Sequence, residues 1–180
     1  MGLAVKALHL AHGVVAEPAV PVFVGFGRGG YGRDVPERTA CESIMKTRSV
    51  AVCSPDLKST YLRRRSSPVA DATLLHYRSR QYWIDWLEAA NLPTHRAWTG
   101  PIVDDIHLLM EAAASGQGIV LGTRPVIDDD LKSKRLVLAH PSEWIGGYSY
   151  QFICRPGGFD NEKIRSFYNW ISAEARYLSQ

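Results

Sequence analysis

Apolar positions recur along the chain with two periods, and the segments that carry them alternate. Ser-Val-Ala-Val-Cys at 49–53 is a short apolar run of strand type, stopped by Ser54-Pro55. Residues 22–24 and 73–76 are two more, and the first ends in a glycine-rich turn, Gly25-Phe26-Gly27-Arg28-Gly29-Gly30. From Ser79, a suitable N-cap, to Leu92 the period becomes helical: Tyr82, Trp83, Trp86, Leu87 and Ala90 share one face, and Pro93 lies beyond the end. The clearest helix follows Asp104-Asp105, whose carboxylates suit free backbone N–H groups. Ile106, Leu109, Met110 and Ala113 line its apolar face, and Gly116 stops it.

The second half continues the alternation. Gly-Ile-Val-Leu-Gly at 118–122 reads as a buried strand. Pro125 opens a short helix with Val126, Ile127 and Leu131 inward, and 136–138 is a strand. Tyr148, Tyr150, Phe152 and Cys154 alternate strictly along 148–154, which predicts a strand with one buried face. Residues 161–178 form a last amphipathic helix with Ile164, Phe167, Tyr168 and Ile171 inward. Strands alternating with helices define an α/β fold. Residues 1–20 show neither clear periodicity nor caps.

Composition adds exclusions. With 46% hydrophobic and 22% charged residues, the 180-residue chain is not disordered over its length. The net charge of +3 is mild, and Arg63-Arg64-Arg65, the one basic cluster, reads as a solvated loop rather than a nucleic-acid face. Cys41, Cys53 and Cys154 are odd in number and form no CxxC, which suits a reduced, cytoplasmic protein with buried thiols. No run is long enough for a membrane helix, and His9 and His12 interrupt the apolar start that a signal peptide would need.

Several motifs invite chemistry and are better explained by structure. Gly25–Gly30 fits GxGxxG, but Tyr31-Gly32-Arg33-Asp34-Val35-Pro36 follows where a phosphate-binding helix would have to begin. Ser54 lacks a nucleophile elbow, and His76, His95, His107 and His140 are scattered. Asp104-Asp105 has no neighbouring His or Glu to complete an acid–base pair or a metal site, so capping is the simpler role. Asp128-Asp129-Asp130 is the acidic first turn of a helix, and Trp83 and Trp86 at helical spacing read as core. The chain is therefore read as a non-enzyme, with no cofactor and no metal.

The order of these features resembles one family. Phe23-Val24-Gly25-Phe26-Gly27-Arg28-Gly29, Val50-Ala51-Val52-Cys53-Ser54-Pro55-Asp56-Leu57, Leu74-Leu75-His76 and the helix at 83–87 run in the order of the effector-binding domain of LysR-type transcriptional regulators. Val103-Asp104-Asp105 with Glu111-Ala112-Ala113-Ala114-Ser115-Gly116-Gln117-Gly118-Ile119-Val120-Leu121-Gly122 is the most telling segment, and Phe167-Tyr168-Asn169-Trp170-Ile171 resembles the closing helix. The likeness covers roughly residues 22–175 and is strongest to the subgroup of the glycine-cleavage activator and the β-lactamase regulator. Ile106 stands where many relatives carry Ser or Thr, and Val24-Gly25 replaces the usual Ile-Arg.

The resemblance implies a periplasmic-binding-protein type 2-like fold of two α/β lobes with a small-molecule effector in the cleft. The second lobe would be nearly complete at 37–147 and the first only partial. Residues 1–20 stay unassigned, 21–36 belong to the partial first lobe or hinge, and 148–180 return to the first lobe. Ser54, Asp104, Asp105, Ile106, His107, Gly118 and Tyr150 are the expected ligand-binding residues, with the helix start at 104–107 favouring an anion. The family's winged helix-turn-helix is not legible here, so DNA is expected to be contacted only through an element this chain lacks. Self-association is expected, through strand edges left open by the partial lobe. A stand-alone solute-binding module of similar fold and a non-functional gene remnant are the alternatives.

Overall fold

The computed structural model describes residues 22–28, 40–64, 67–124, 126–145 and 148–178. Its strands are β1 (Val22–Arg28), β2 (Ala40–Lys46), β3 (Arg48–Cys53), β4 (Leu74–Tyr77), β5 (Ile102–Val103), β6 (Ile119–Arg124), β7 (Val137–Trp144) and β8 (Tyr148–Cys154). Its helices are α1 (Pro55–Arg63), α2 (Pro68–Asp71), α3 (Gln81–Ala89), α4 (Ile106–Ala114), α5 (Asp128–Lys132) and α6 (Glu162–Leu178), with 3-10 turns at Thr94–Trp98 and Gly158–Asp160. The chain divides into two compact units. One comprises Met1–Thr47 with Gly147–Gln180, and the other is Arg48–Gly146, inserted between those two pieces.

The inserted unit is built on a five-stranded sheet of order β5-β4-β6-β3-β7. β4 runs parallel to β5 and β6, whereas β3 is antiparallel to β6 and β7. Both faces are covered, which is why residues 50–53 are apolar without interruption. The alternating side chains separate two cores. Ala51, Cys53, Leu74, Ile119 and the α3 residues Trp83, Trp86 and Leu87 fill one. Val50, Val52, Leu75 and Val120, with Leu109, Met110 and Ala113 of α4, fill the other. Trp83 and Trp86 meet edge to face at 5.6 Å, and their indole N–H groups donate to the Leu75 and Ser49 carbonyls at 2.9 and 3.1 Å. Their role is that of core residues, each side chain contributing about 1.5–3 kcal/mol by burial.

The other unit has a three-stranded antiparallel sheet with β8 between β1 and β2. Tyr150, Phe152 and Cys154 point into a core with Met45 and with Ile164, Ile171 and Ala175 of α6. The alternation of β8 predicts one exposed face, yet all seven of its residues are buried. As the central strand it is flanked on both sides, and the polar members of its second face bond locally: Gln151 donates to Ser149 Oγ and accepts from Cys41 Sγ.

Other differences have local causes. Ser54 and Pro55 end β3 but also start α1: Ser54 Oγ accepts from the Leu57 N–H at 3.2 Å and Pro55 occupies the first turn. Arg63 therefore closes a helix rather than lying in a loop. Gly25-Phe26-Gly27-Arg28 is not a turn but the end of β1, paired along β8 as far as Arg28↔Tyr148; Gly29 and Gly30 lie outside the described residues, as do residues 1–20, Arg65 and Pro125. α3 begins at Gln81, with Ser79 Oγ accepting from its N–H at 3.1 Å. Phe167 is only partly covered: its ring meets the core residue Phe152 at 5.9 Å on one side and stacks on Trp170 on the other. The contacts start the inserted unit at Arg48, because 40–46 pair along β8.

Candidate functional site

β4, β5 and β6 are parallel, so their C-terminal ends share one edge of the inserted unit. That edge carries Tyr77-Arg78, Val103-Asp104-Asp105 and Arg124, and antiparallel β3 begins there, with Arg48 opposite Arg124. In α/β sheets this edge is where ligands bind, because loops and helix starts converge there.

Arg78 follows β4 with φ 55°, in the left-handed region, and its N–H donates to the Val103 carbonyl at 3.1 Å. Its guanidinium lies over the Tyr77 ring, 5.2 Å from the centroid, and its Nε donates to Asp104 Oδ1. That bond raises the Arg78 pKa. Tyr82 approaches Tyr77 with ring centroids 6.4 Å apart. Burial raises both phenols' pKa values, and the charge of Arg78 pulls each partly back.

Asp105 is the N-cap of α4. Its Oδ1 accepts from the N–H groups of His107 at 2.8 Å and Leu108 at 3.1 Å. Two of the donors on which an anion at this helix start would depend are thus held by the chain's own carboxylate. Ile106 packs partly buried against the α4 core, and His107 is exposed. Beyond them Arg124 joins Asp128 at 2.7 Å and Glu143 at 3.2 Å, clipping the first turn of α5 to β7.

Asp104 to His107 therefore stand together, by chain continuity. Ser54 and Gly118 do not join them. Ser54 ends β3, which runs against β6, so it lies at the opposite edge. Its N–H donates to the Ala113 carbonyl at 3.1 Å, at the far end of α4, and it is buried as the cap of α1. Nine residues of helix correspond to roughly 14 Å. Gly118 is at that same far edge, where a Cβ would sit 2.5 Å from the Thr73 carbonyl oxygen. Tyr150 belongs to the other unit and is buried in its core. Sequence reasoning missed Tyr77, Arg78 and Arg124. Tyr77 and Arg124 end their strands and Arg78 follows one, and that these ends share an edge is visible only once the parallel register is known.

Burial pushes the Cys53 thiol up to about 11, so it stays protonated, and His76 is committed to the Thr99 carbonyl at 2.7 Å. Among the described residues no group of three His, Cys, Asp or Glu side chains is placed to hold a metal ion, and no helix is long and apolar enough to cross a membrane.

An inserted α/β unit covered on both faces, with polar side chains gathered at its parallel strand ends, is the construction of a small-molecule-binding domain. The chain belongs to the family of the LysR substrate binding domain, whose profile matches residues 24–176. It is 27% identical over 158 residues to the glycine cleavage system transcriptional activator of Escherichia coli K12, covering 87% of this chain and 50% of that protein. It is 36% identical over 101 residues to the HTH-type transcriptional activator AmpR of Rhodobacter capsulatus, covering 54% and 31%. The chain thus spans about half the length, or less, of these curated relatives. Among solved structures, the effector domain of AmpR of Pseudomonas aeruginosa superposes with a TM-score of 0.74 at 19% identity, covering 93% of this chain and 77% of that one. The Citrobacter freundii AmpR effector binding domain gives 0.71 at 20%, covering 90% and 79%. The fold is therefore the periplasmic-binding-protein type 2-like α/β fold of these domains.

Proposed function

We propose that this chain is the effector-sensing part of a LysR-type transcription regulator, and that it binds a small molecule at the parallel strand ends of its inserted unit. The family match over 24–176 carries this reading. The gathering of Tyr77, Arg78, Asp104, Asp105, Ile106 and His107 at one sheet edge supports the location. A related full-length regulator, LysG of Corynebacterium glutamicum, has been solved with bound effector Arg, at a TM-score of 0.58 and 16% identity. The proposed role is binding without turnover, in the cytoplasm. DNA contact would belong to the regulator's DNA-binding region and not to the effector-sensing units. Ser54, Gly118 and Tyr150 act as structural residues in this proposal, since each is packed within its own core or cap.

Ligand binding would act by favouring one of two arrangements of the complete regulator, which requires different affinities for the two. Self-association belongs to the proposal, and the stacked, partly exposed pair Phe167 and Trp170 on α6 supports it. The test is a thermal-shift screen of amino acids and other small carboxylates against the purified chain, followed by Asp104→Ala on any hit. A hit that stabilises the chain and is weakened by Asp104→Ala is expected. A hit bound as well by the variant would contradict the location, and measurable turnover of it would contradict the non-catalytic role. Light scattering is expected to show more than a monomer, and a sequence-dependent gel shift by the chain alone would count against the division of labour.

A further inference from the structure

The helix start at Asp105 is the obvious place for an anion, but it is partly occupied. Asp105 Oδ1 already takes two of the N–H groups there. Beside it stands the cation Arg78, of whose guanidinium only one side is used. The Nε side is bonded to Asp104. Among the described residues no hydrogen bond engages the two terminal nitrogens, Nη1 and Nη2. Arg124 at the same edge differs: two carboxylates hold its guanidinium, Asp128 at Nε and Glu143 at Nη1.

Arg78 is also held in place. Its backbone N–H is tied to Val103, its guanidinium lies on the Tyr77 ring, and Asp104 fixes the direction of Nε. The Arg78 side chain is 43% exposed. A planar guanidinium fixed at Nε and free at the terminal pair presents two parallel N–H donors, the geometry that a carboxylate accepts bidentately. The aromatic wall of Tyr77 and Tyr82 adjoins it.

We propose that Arg78 is the receptor for a ligand carboxylate, and that Asp104 is a positioning residue that aims it. The proposal rests on the effector-sensing reading and names the chemistry of that site: the small molecule carries a carboxylate, paired with Nη1 and Nη2 of Arg78. Asp104 does not compete with the ligand, because it uses the other side of the guanidinium. Its removal frees the side chain to sample other rotamers, so binding weakens even though a negative charge has gone. Simple electrostatics predicts the opposite sign, and the two accounts separate on that point.

The experiment uses the 180-residue chain with N-acetylglycine as the probe and N-acetylglycinamide as its uncharged counterpart. The readout is the Arg78 Nε–H NMR resonance, assigned by its loss in Arg78→Lys. N-acetylglycine is expected to shift that resonance saturably and the amide to leave it in place. Arg78→Gln, which keeps no paired donors, is expected to weaken N-acetylglycine binding roughly tenfold or more, followed through neighbouring backbone amides. Asp104→Asn is expected to weaken it severalfold while leaving the melting temperature nearly unchanged. Equal shifts by acid and amide, no shift by either, or tighter binding by Asp104→Asn would each overturn the proposal. A metabolite from the screen that stabilises wild type and Arg78→Gln alike would overturn it too, while leaving the sensing role standing.

Discussion

The indole N–H of Trp86 reaches across from α3 to the Ser49 carbonyl at 3.1 Å, joining a helix to the first turn of pairing in β3. Trp86 is fully buried and also meets His140 edge to face at 5.6 Å. Trp86→Phe removes the donor and part of the ring, and is expected to cost about 1–3 kcal/mol by urea unfolding. Trp98→Phe, at a site 66% exposed, is expected to change stability by less than about 0.5 kcal/mol.

The cap of α4 gives a second prediction. Asp105 is exposed, so its value lies in the two N–H groups it accepts rather than in packing. Asp105→Ala is expected to lower stability by about 1 kcal/mol, and Asp105→Asn, which keeps an accepting oxygen, by only a few tenths. Urea midpoints of the two variants measured side by side test this. Equal losses would show that the charge, not the bond, matters.

These two residues also show how much could be read in advance. Helical spacing placed Trp83 and Trp86 in a core, and the Asp-Asp pair ahead of an apolar stripe located the start of α4, because both signals are local. The edge on which Ser54 lies is not legible from its neighbours. The sequence shows that it follows a strand, but not that β3 runs against β6, which moves it to the edge away from Asp104. Arg78 went unnoticed because nothing in its flanking residues announces a left-handed backbone or a partner at Asp104, 26 positions later. The burial of Ser149 and Gln151 was hidden by the very alternation that identified β8 as a strand.

Two glycines separate close approach from backbone conformation. Gly100 has φ 99°, and a Cβ there would stand 2.0 Å from the Leu74 carbonyl oxygen. Gly157 has φ 70°, but the nearest atom to its Cβ would be 3.5 Å away. Gly157→Ala is expected to cost about 1–2 kcal/mol, the left-handed penalty alone. Gly100→Ala is expected to cost more than about 3 kcal/mol, since backbone must move as well. Thermal unfolding of both variants checks the order, and a similar loss in each would mean that β4 yields easily.

His76 makes stability depend on pH in a defined direction. It is fully buried in β4, with Nε2–H donating to the Thr99 carbonyl at 2.7 Å, and Nδ1 has no hydrogen-bond partner among the described residues. Protonation would place an N–H at Nδ1 without an acceptor, with the Arg80 guanidinium 3.3 Å from Nε2. Burial chiefly lowers its pKa, the Thr99 bond partly offsets this, and Arg80 lowers it further. The unfolded chain binds a proton on His near pH ~6.5, and the folded chain only at lower pH. Between those values the unfolded state holds more protons, so stability is fully present above about 6.5 and is lost as pH falls through the folded value. His140, also lowered by burial, acts in the same direction. Urea midpoints at about pH 7.5, 6.5 and 5.5 are expected to decline, and His76→Gln, which keeps a donor for Thr99 without a titrating ring, is expected to flatten the decline. An unchanged slope in that variant would assign the acid sensitivity to other groups.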